Sequence, residues 1–260
     1  MKRFLDLGEL PWGTLNPDAY PAEVAQAARR SFVDGASSER ATAIGFSEIT
    51  SALLRAGAPT SFTRMSTRFV EEELLHAEIN ARLAREVGAD PVAESSDAYM
   101  TFGADPEASL LDQALELAVR VSCVGEALSV PLLSLAARRA THPLVRAALL
   151  RIVKDEPAHA RLGFLMLDWA RDRLDTGRRD RLSAIATREL GRFADYFADR
   201  FEPEDASVRT GMRAMGFAPV VEYRDVVRMA LRDRVVLPLA KRGVAVDVVA
   251  ALAPPETRAA

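Results

Sequence analysis

Cysteine, histidine and strand-forming patterns are scarce in this chain. Cys123 is the one cysteine in 260 residues, which excludes an internal disulfide and suits a reducing cytosol, so a cytoplasmic location is expected. No Cys-x-x-Cys pair supplies a fused rubredoxin or the sulfur-rich ligand set of a structural zinc site. No run of about 18 uninterrupted apolar residues occurs, and no membrane span is expected. Met1-Lys2-Arg3 is followed by Asp6, Glu9 and Pro11 rather than by an apolar stretch, which argues against a signal peptide. Basic residues are not in excess: 34 Lys and Arg stand against 37 Asp and Glu, mixed along the chain, and no nucleic-acid partner is expected.

What is abundant is helix. Ala, Leu, Arg and Glu dominate long segments with helical apolar spacing, so an all-α fold is expected. Residues 1–20, with Pro11, Gly13 and Pro17, read as an N-terminal strap. A first long helix carries Ser38 to Leu54, with a lead-in from Pro21, and stops near Gly57-Ala58-Pro59. A second starts at Thr60, read as its N-cap, and stops at Gly88. Residues 89–107 read as a long connection. A third helix spans about Ser109–Ala140, and a fourth runs from Pro143 to about Leu174. Further helices are expected near 178–200, 205–215 and 219–242. The domain reading is a four-helix bundle over 21–175, helices over 176–250 packed on it or lidding it, and a frayed tail over 251–260.

Loop lengths carry topology. The first and second helices are joined by a few residues, as are the third and fourth, which makes antiparallel neighbours. The second helix would be roughly 42 Å long, and the 89–107 connection can reach about 60 Å. It can therefore traverse the bundle. Two hairpins joined by one long crossover is the ferritin-like arrangement.

Two of the three histidines close Glu-x-x-His motifs, Glu73-Leu74-Leu75-His76 and Glu156-Pro157-Ala158-His159. That spacing puts Glu and His on adjacent turns of one helix face. Two such helices, with one further Glu from each of two others, make a carboxylate-bridged dimetal site. Helix phase selects the two. Glu126 lies in the stripe Leu115, Val119, Ser122/Cys123, Val130, Leu133, Ala137, whereas Glu116 falls about 80° off it. Glu39 lies in the stripe Ala43, Phe46, Thr50, Leu53, whereas Glu48 falls about 180° away and should face solvent. Glu39 precedes Glu73 by 34 residues and Glu126 precedes Glu156 by 30, so each hairpin carries Glu, then Glu-x-x-His. Four carboxylates and two neutral imidazoles balance two divalent cations and leave coordination positions open, which suits iron or manganese. One Glu-x-x-His alone carries little weight. Four buried Glu without a cation would be hard to tolerate. His142, in Thr-His-Pro, reads as a turn residue.

With these motifs the chain resembles the ferritin-like diiron carboxylate superfamily, more narrowly bacterial ferritin-like proteins. Ser38-Glu39-Arg40-Ala41-Thr42-Ala43, Gly57-Ala58-Pro59, Glu72-Glu73-Leu74-Leu75-His76-Ala77, Val124-Gly125-Glu126 and Asp155-Glu156-Pro157-Ala158-His159-Ala160 carry the resemblance, over about residues 26–172. It departs at Arg40, where His is frequent, at Leu75 and Ala158, where Arg is often found, and at Pro157, inside a ligand helix. The resemblance implies Glu39, Glu73, His76, Glu126, Glu156 and His159 as ligands of two Fe, with Mn or a mixed Mn/Fe pair using similar ligands, and Glu73 and Glu156 as bridges. It also implies that Asp155 holds His76 and Glu72 holds His159, fixing each tautomer.

Pro157 predicts a kink or π-bulge at the site, and Pro131 a loosening of the third helix. The C-terminal stretches add Phe193, Tyr196, Phe197, Phe201, Tyr223 and the apolar run Val235–Ala240. They read as a lid over a substrate pocket, with a homodimer face as the alternative use. Cys123, Tyr196 and Tyr223 are the substrate-binding candidates. The expected function is a dioxygen-activating non-heme diiron oxidase or oxygenase acting on a small or medium organic substrate, with a separate electron-donor protein. The alternative is a ferroxidase, iron-sequestering or peroxide-removing ferritin-like protein without organic substrate.

Overall fold

A computed structural model describes residues 10–91, 102–198, 200 and 202–253. Among them the chain is all helical, with no strand. Helix α1 runs unbroken over Ala22–Arg55, its expected lead-in being part of the helix itself. Helix α2 spans Thr60–Glu86. Thr60 is the first helical residue rather than the cap; Pro59 occupies the cap position and makes no side-chain cap bond. Gly57 (φ 64°) and Gly88 (φ 75°) end these two helices in the left-handed region, which costs a residue without Cβ little.

The third expected helix is continuous over Leu110–Arg139 but not uniform. It is α3 (Leu110–Ala118), a π-helical stretch (Val119–Glu126) and α4 (Ala127–Arg139). Pro131 lies inside α4, beyond the π stretch rather than within it. This helix alone among the described residues is long and apolar enough to cross a membrane, by length and composition. Here 56% of its most apolar window is buried against other helices.

The fourth expected helix is two. Helix α5 covers Pro143–Val153 and α6 covers Glu156–Trp169. Pro157 has no amide hydrogen and its ring would meet the Val153 carbonyl of a continuous helix. The chain therefore tightens at Lys154 and Asp155, where Asp155 N bonds Ile152 O and Ala158 N bonds Asp155 O, and restarts with Pro157 in the first turn of α6. Beyond lie α7 (Thr176–Arg192), α8 (Ala206–Ala214), α9 (Val220–Ala230), a second π stretch (Leu231–Val236), α10 (Leu237–Ala240) and an unanticipated short helix, α11 (Val248–Leu252). Helix α7 stops at Arg192, short of the expected 200, and Ala194–Phe197 is a 3₁₀ turn. Phe201, the crossover residues 92–101, residues 1–9 of the strap and residues 254–260 of the tail lie outside the described residues.

Helix α1 packs along α2, α4 on α5, and α6 on α3 and the first π stretch, and α7 also packs on that stretch. The apolar interior has two parts. One is built around Phe46, Phe69, Leu128 and Leu162. The other is built around Phe32, Ile79, Leu144 and Ile152. On α1 the residues of one part end at Val33 and those of the other begin at Phe46, with Glu39 between them. On α2 one part ends at Phe69 and Val70 and the other begins at Leu75, so Glu73 and His76 sit at the changeover, and Glu156 and His159 lie between Ile152 and Leu162. A polar layer is thus clamped between two apolar ones.

Candidate metal centre

That layer gathers all six expected ligands into two overlapping groups, Glu39–Glu73–His76–Glu156 and Glu73–Glu126–Glu156–His159, each with ligand atoms within 4.8 Å of one another. Glu73 and Glu156 belong to both groups. Glu73, His76, Glu156 and His159 are essentially inaccessible, and Glu126 is 7% exposed. Glu39 is partly exposed.

The imidazoles have one nitrogen tied and one free. His76 Nε2 lies 3.4 Å from Asp155 Oδ2, and His159 Nε2 lies 2.9 Å from Glu72 Oε2. A carboxylate accepts only, so each Nε2 carries a proton, and in the neutral ring each Nδ1 then keeps its lone pair for a cation. Both Nδ1 atoms point into the cluster: His76 Nδ1 is 3.0 Å from Glu156 Oε1, and His159 Nδ1 is 2.6 Å from Glu73 Oε1. Neither Nδ1 has a well-oriented hydrogen-bond partner, nor do Glu73 Oε1, Glu73 Oε2 and Glu156 Oε1. Lone pairs facing carboxylates at such range repel unless a proton or a metal cation lies between them. Ligands about 2.1 Å from one ion sit roughly 3 Å apart at right angles, the spacing seen here. The residues present therefore fit a metal pair.

Electrostatics agree. Burial alone would keep the imidazoles neutral, but the close carboxylates of Glu156 and Glu73, with Glu39, outweigh it and raise His76 to about 10. Glu156, Glu72 and Glu73 likewise outweigh burial at His159 and push it up to about 12. Glu39 and Glu126 are held well above the ordinary carboxyl range, first by burial and then by neighbouring carboxylates. So concentrated a negative set takes up positive charge, as protons or as metal.

Each tethering carboxylate is itself anchored by an arginine one turn earlier. Arg68 Nε donates to Glu72 at 2.6 Å, and Arg151 donates to Asp155. Burial would raise both acids, yet the arginine and histidine partners hold each below its usual range. The break before Pro157 matters here. It delivers Asp155 and Glu156 from one corner, the first to His76 Nε2 and the second to the cluster.

Sequence reasoning missed Asn80. Its side-chain amide donates to His76 O at 3.1 Å and reaches Glu39 Oε1 at 3.5 Å. It lies one turn beyond His76 on the same face, and that spacing could have found it. Gly35 makes room for it, since a Cβ there would come within 2.7 Å of Asn80 Oδ1.

Glu116 and Glu48 stay off the cluster, but neither is a solvated surface charge. Glu116 is buried and pairs with Arg181 at 3.0 Å. Glu48, expected to face solvent, is half-buried; burial raises its carboxyl against the charge of Arg120 and a hydrogen bond from the Gly103 backbone. The phase angle between Glu116 and Glu126 assumed α-helical winding, which the π stretch does not have.

Of the substrate-binding candidates, Cys123 is fully buried and packs where a Cβ on Gly163 would approach its sulfur to 2.6 Å. Burial pushes its thiol up. Tyr196 stands edge-on to Phe193 at 5.4 Å. Tyr223 accepts a hydrogen bond from Arg200, whose guanidinium stacks 4.2 Å over its ring. Two surface pockets of about 550 and 440 Å³ lie along Pro219–Met229 and Gly191–Ala198, and no cluster residue lines either. His142 anchors a joint: its backbone amide donates to Ala214 O, and its Nε2 lies 3.3 Å from Thr14 O.

Comparison of the chain with protein families, with curated proteins and with solved structures gives no match.

Proposed function

We propose that this chain is a ferritin-like dimetal carboxylate protein and, within that class, a dioxygen-activating non-heme diiron oxidase or oxygenase of a small or medium organic molecule. The observation that carries the metal reading is the buried cluster whose unpaired lone pairs, on Glu73, Glu156, His76 and His159, all converge. Under this reading α1, α2, the Leu110–Arg139 helix and α5–α6 form the four-helix bundle, with residues 89–107 as its crossover. Glu39 and His76 serve one metal, Glu126 and His159 the other, and Glu73 and Glu156 both.

When bound, the metal pair supplies electrons and open coordination positions for dioxygen reduction. The chain's own residues do the rest. Glu72 and Asp155 fix the imidazole tautomers and raise ligand basicity. Phe46 and Phe69, whose rings flank His159 at 5.3 and 4.3 Å, keep bulk water from that side. Helix α7 and the following Phe193–Phe197 turn pack against the stretch bearing Glu126, which supports a role for the C-terminal elements at the site. Iron oxidation or peroxide removal without organic substrate is the second reading. It is favoured by the partial exposure of Glu39, an acidic group at the edge of the cluster.

The test is anaerobic reconstitution with ferrous iron followed by oxygen, with and without a panel of organic substrates. Product formation coupled to oxygen uptake supports the first reading. Oxygen uptake that tracks added iron alone supports the second. A chain that takes up no metal overturns both.

A further inference from the structure

One residue of the π stretch that bonds to elements on both sides of it lies outside the cluster. Arg120, second in Val119–Glu126, has a side chain only 12% exposed. Its Nε donates to Glu189 Oε2 of α7 at 3.0 Å, and its Nη1 donates to Phe102 O and to Gly103 O, the latter at 3.1 Å. Glu116, one turn earlier, lies 3.9 Å away, and the guanidinium sits 5.6 Å over the Phe102 ring. Around it the charges alternate: Arg181 on Glu116 at 3.0 Å, Arg192 on Glu189 at 3.7 Å. Glu116 and Glu189 are both buried.

Buried ion networks contribute little net stability, because desolvation offsets attraction; what they do well is fix one arrangement. π winding is uncommon and recurs at functional sites. Here the network grips that stretch from two directions, α7 and the segment entering α3, and touches no member of the metal cluster. Small residues complete the grip. A Cβ on Gly163 of α6 would meet Ala118 O at 2.6 Å, and one on Gly45 of α1 would meet Val121 at 2.8 Å.

The geometry points to Arg120 as a positioning residue: held by Glu189 and the Phe102–Gly103 carbonyls, it sets the π winding that turns Glu126 into the metal cluster. This inference rests on the dimetal reading and names the device by which the C-terminal helices bear on the site.

Anaerobic titration with Mn(II) tests it, in wild type, R120Q, R120K and E189Q, with R178Q as control. Arg178 ties the same α7 to α3 through Asp112 at 2.7 Å, ahead of the π stretch. R120Q is expected to bind its second metal ten- to 100-fold more weakly. E189Q should shift the same way by less, and R120K should recover part of the loss. R178Q should lose thermal stability and keep two metals at wild-type affinity. Amide exchange within 119–126 should quicken in R120Q and not in R178Q. Equal second-metal affinity in wild type and R120Q overturns the inference, as does an equal loss in R178Q. Should R120Q fail to fold, E189Q binding two metals as wild type does overturns it. A wild-type chain that binds no metal fails the dimetal reading instead, a distinguishable result.

Discussion

His159 of α6 reaches back 2.9 Å to Glu72 of α2, 87 residues earlier in the chain. His76 of α2 reaches forward in the same manner to Asp155, at the start of α6. Each motif therefore supplies a Glu–His pair to the cluster and, one residue before its Glu, a tether for the opposite motif's histidine. Breaking one tether leaves all six ligands in place but frees one imidazole. E72Q or D155N is expected to weaken metal binding about ten- to 100-fold without lowering the count at saturation. Competition of each variant against a chelator of known affinity measures this. Unchanged affinity in both would separate the tethers from metal binding.

Removing ligands should be harsher. H76A and H159A are each expected to cut the metal content below the about two per chain that the six-ligand cluster implies, and to abolish any oxygen reaction. Elemental analysis of chains reconstituted anaerobically reads the count. Wild-type content in both would refute the assignment of the histidines. E48Q and E116Q are the contrast: both should hold two metals. E116Q leaves Arg181 without its closest partner and should cost roughly 1–3 kcal/mol of stability, seen as a lower midpoint in urea.

Metal removal should cost stability in the same currency. Each cation bound only by the folded chain at 1,000 times its Kd stabilises it by about 4 kcal/mol, so two contribute about 8 kcal/mol. For a chain of this size that is roughly 20 °C in Tm. Scanning calorimetry with and without a chelator checks it. A Tm that chelation leaves alone would contradict a cluster whose carboxylates need cations.

How much of this the sequence carried depends on the range of the interaction. The convergence of the two motifs was legible because Glu-x-x-His is local: three residues fix two side chains on one face, whatever else the helix touches. The ends of α1 and α2 were legible because Gly57 and Gly88 adopt positive φ at helix stops. Pro157 signalled an irregularity, and the break between α5 and α6 is its result. The π stretch was not legible from Pro131, since the winding changes upstream of it, where Arg120 meets Glu189 from 69 residues away. Glu48 went wrong for a related reason. Its position on α1 faces away from the cluster, but a segment far along the chain, at Gly103, and Arg120 cover it. A charge looks solvated in sequence until the element that buries it is known.

Gly163 offers a packing test. Its Cα lies so close to the π stretch that an added Cβ would sit 2.6 Å from both Ala118 O and Cys123 Sγ. The backbone carbonyl cannot swing away as a side-chain tip could. G163A should force α6, which carries Glu156 and His159, off that stretch and cost about 1–3 kcal/mol. C123A, by contrast, leaves a small cavity and should keep two metals. A chemical denaturation series of both variants, with metal counts, gives the comparison. A G163A chain as stable as wild type would mean the two helices are less tightly engaged than these distances require.

The C-terminal elements decide between organic turnover and iron chemistry. Phe193 abuts Gly125, next to Glu126, and Tyr196 stands edge-on to Phe193, so this pair is the aromatic material nearest a ligand from that side. Tyr223 is committed to Arg200. If the C-terminal helices shape a substrate pocket, F193A or Y196A should change KM or the product pattern for an organic substrate while the metal count stays at about two. Y223F, which gives up one hydrogen bond and keeps the ring, should do so less. If the protein works on iron alone, none of the three should alter the rate of ferrous oxidation beyond what lost stability explains. Both readouts come from one preparation of each variant. Altered iron oxidation in F193A with unchanged organic turnover would turn the pocket reading around, placing these aromatics on an iron path rather than over a substrate.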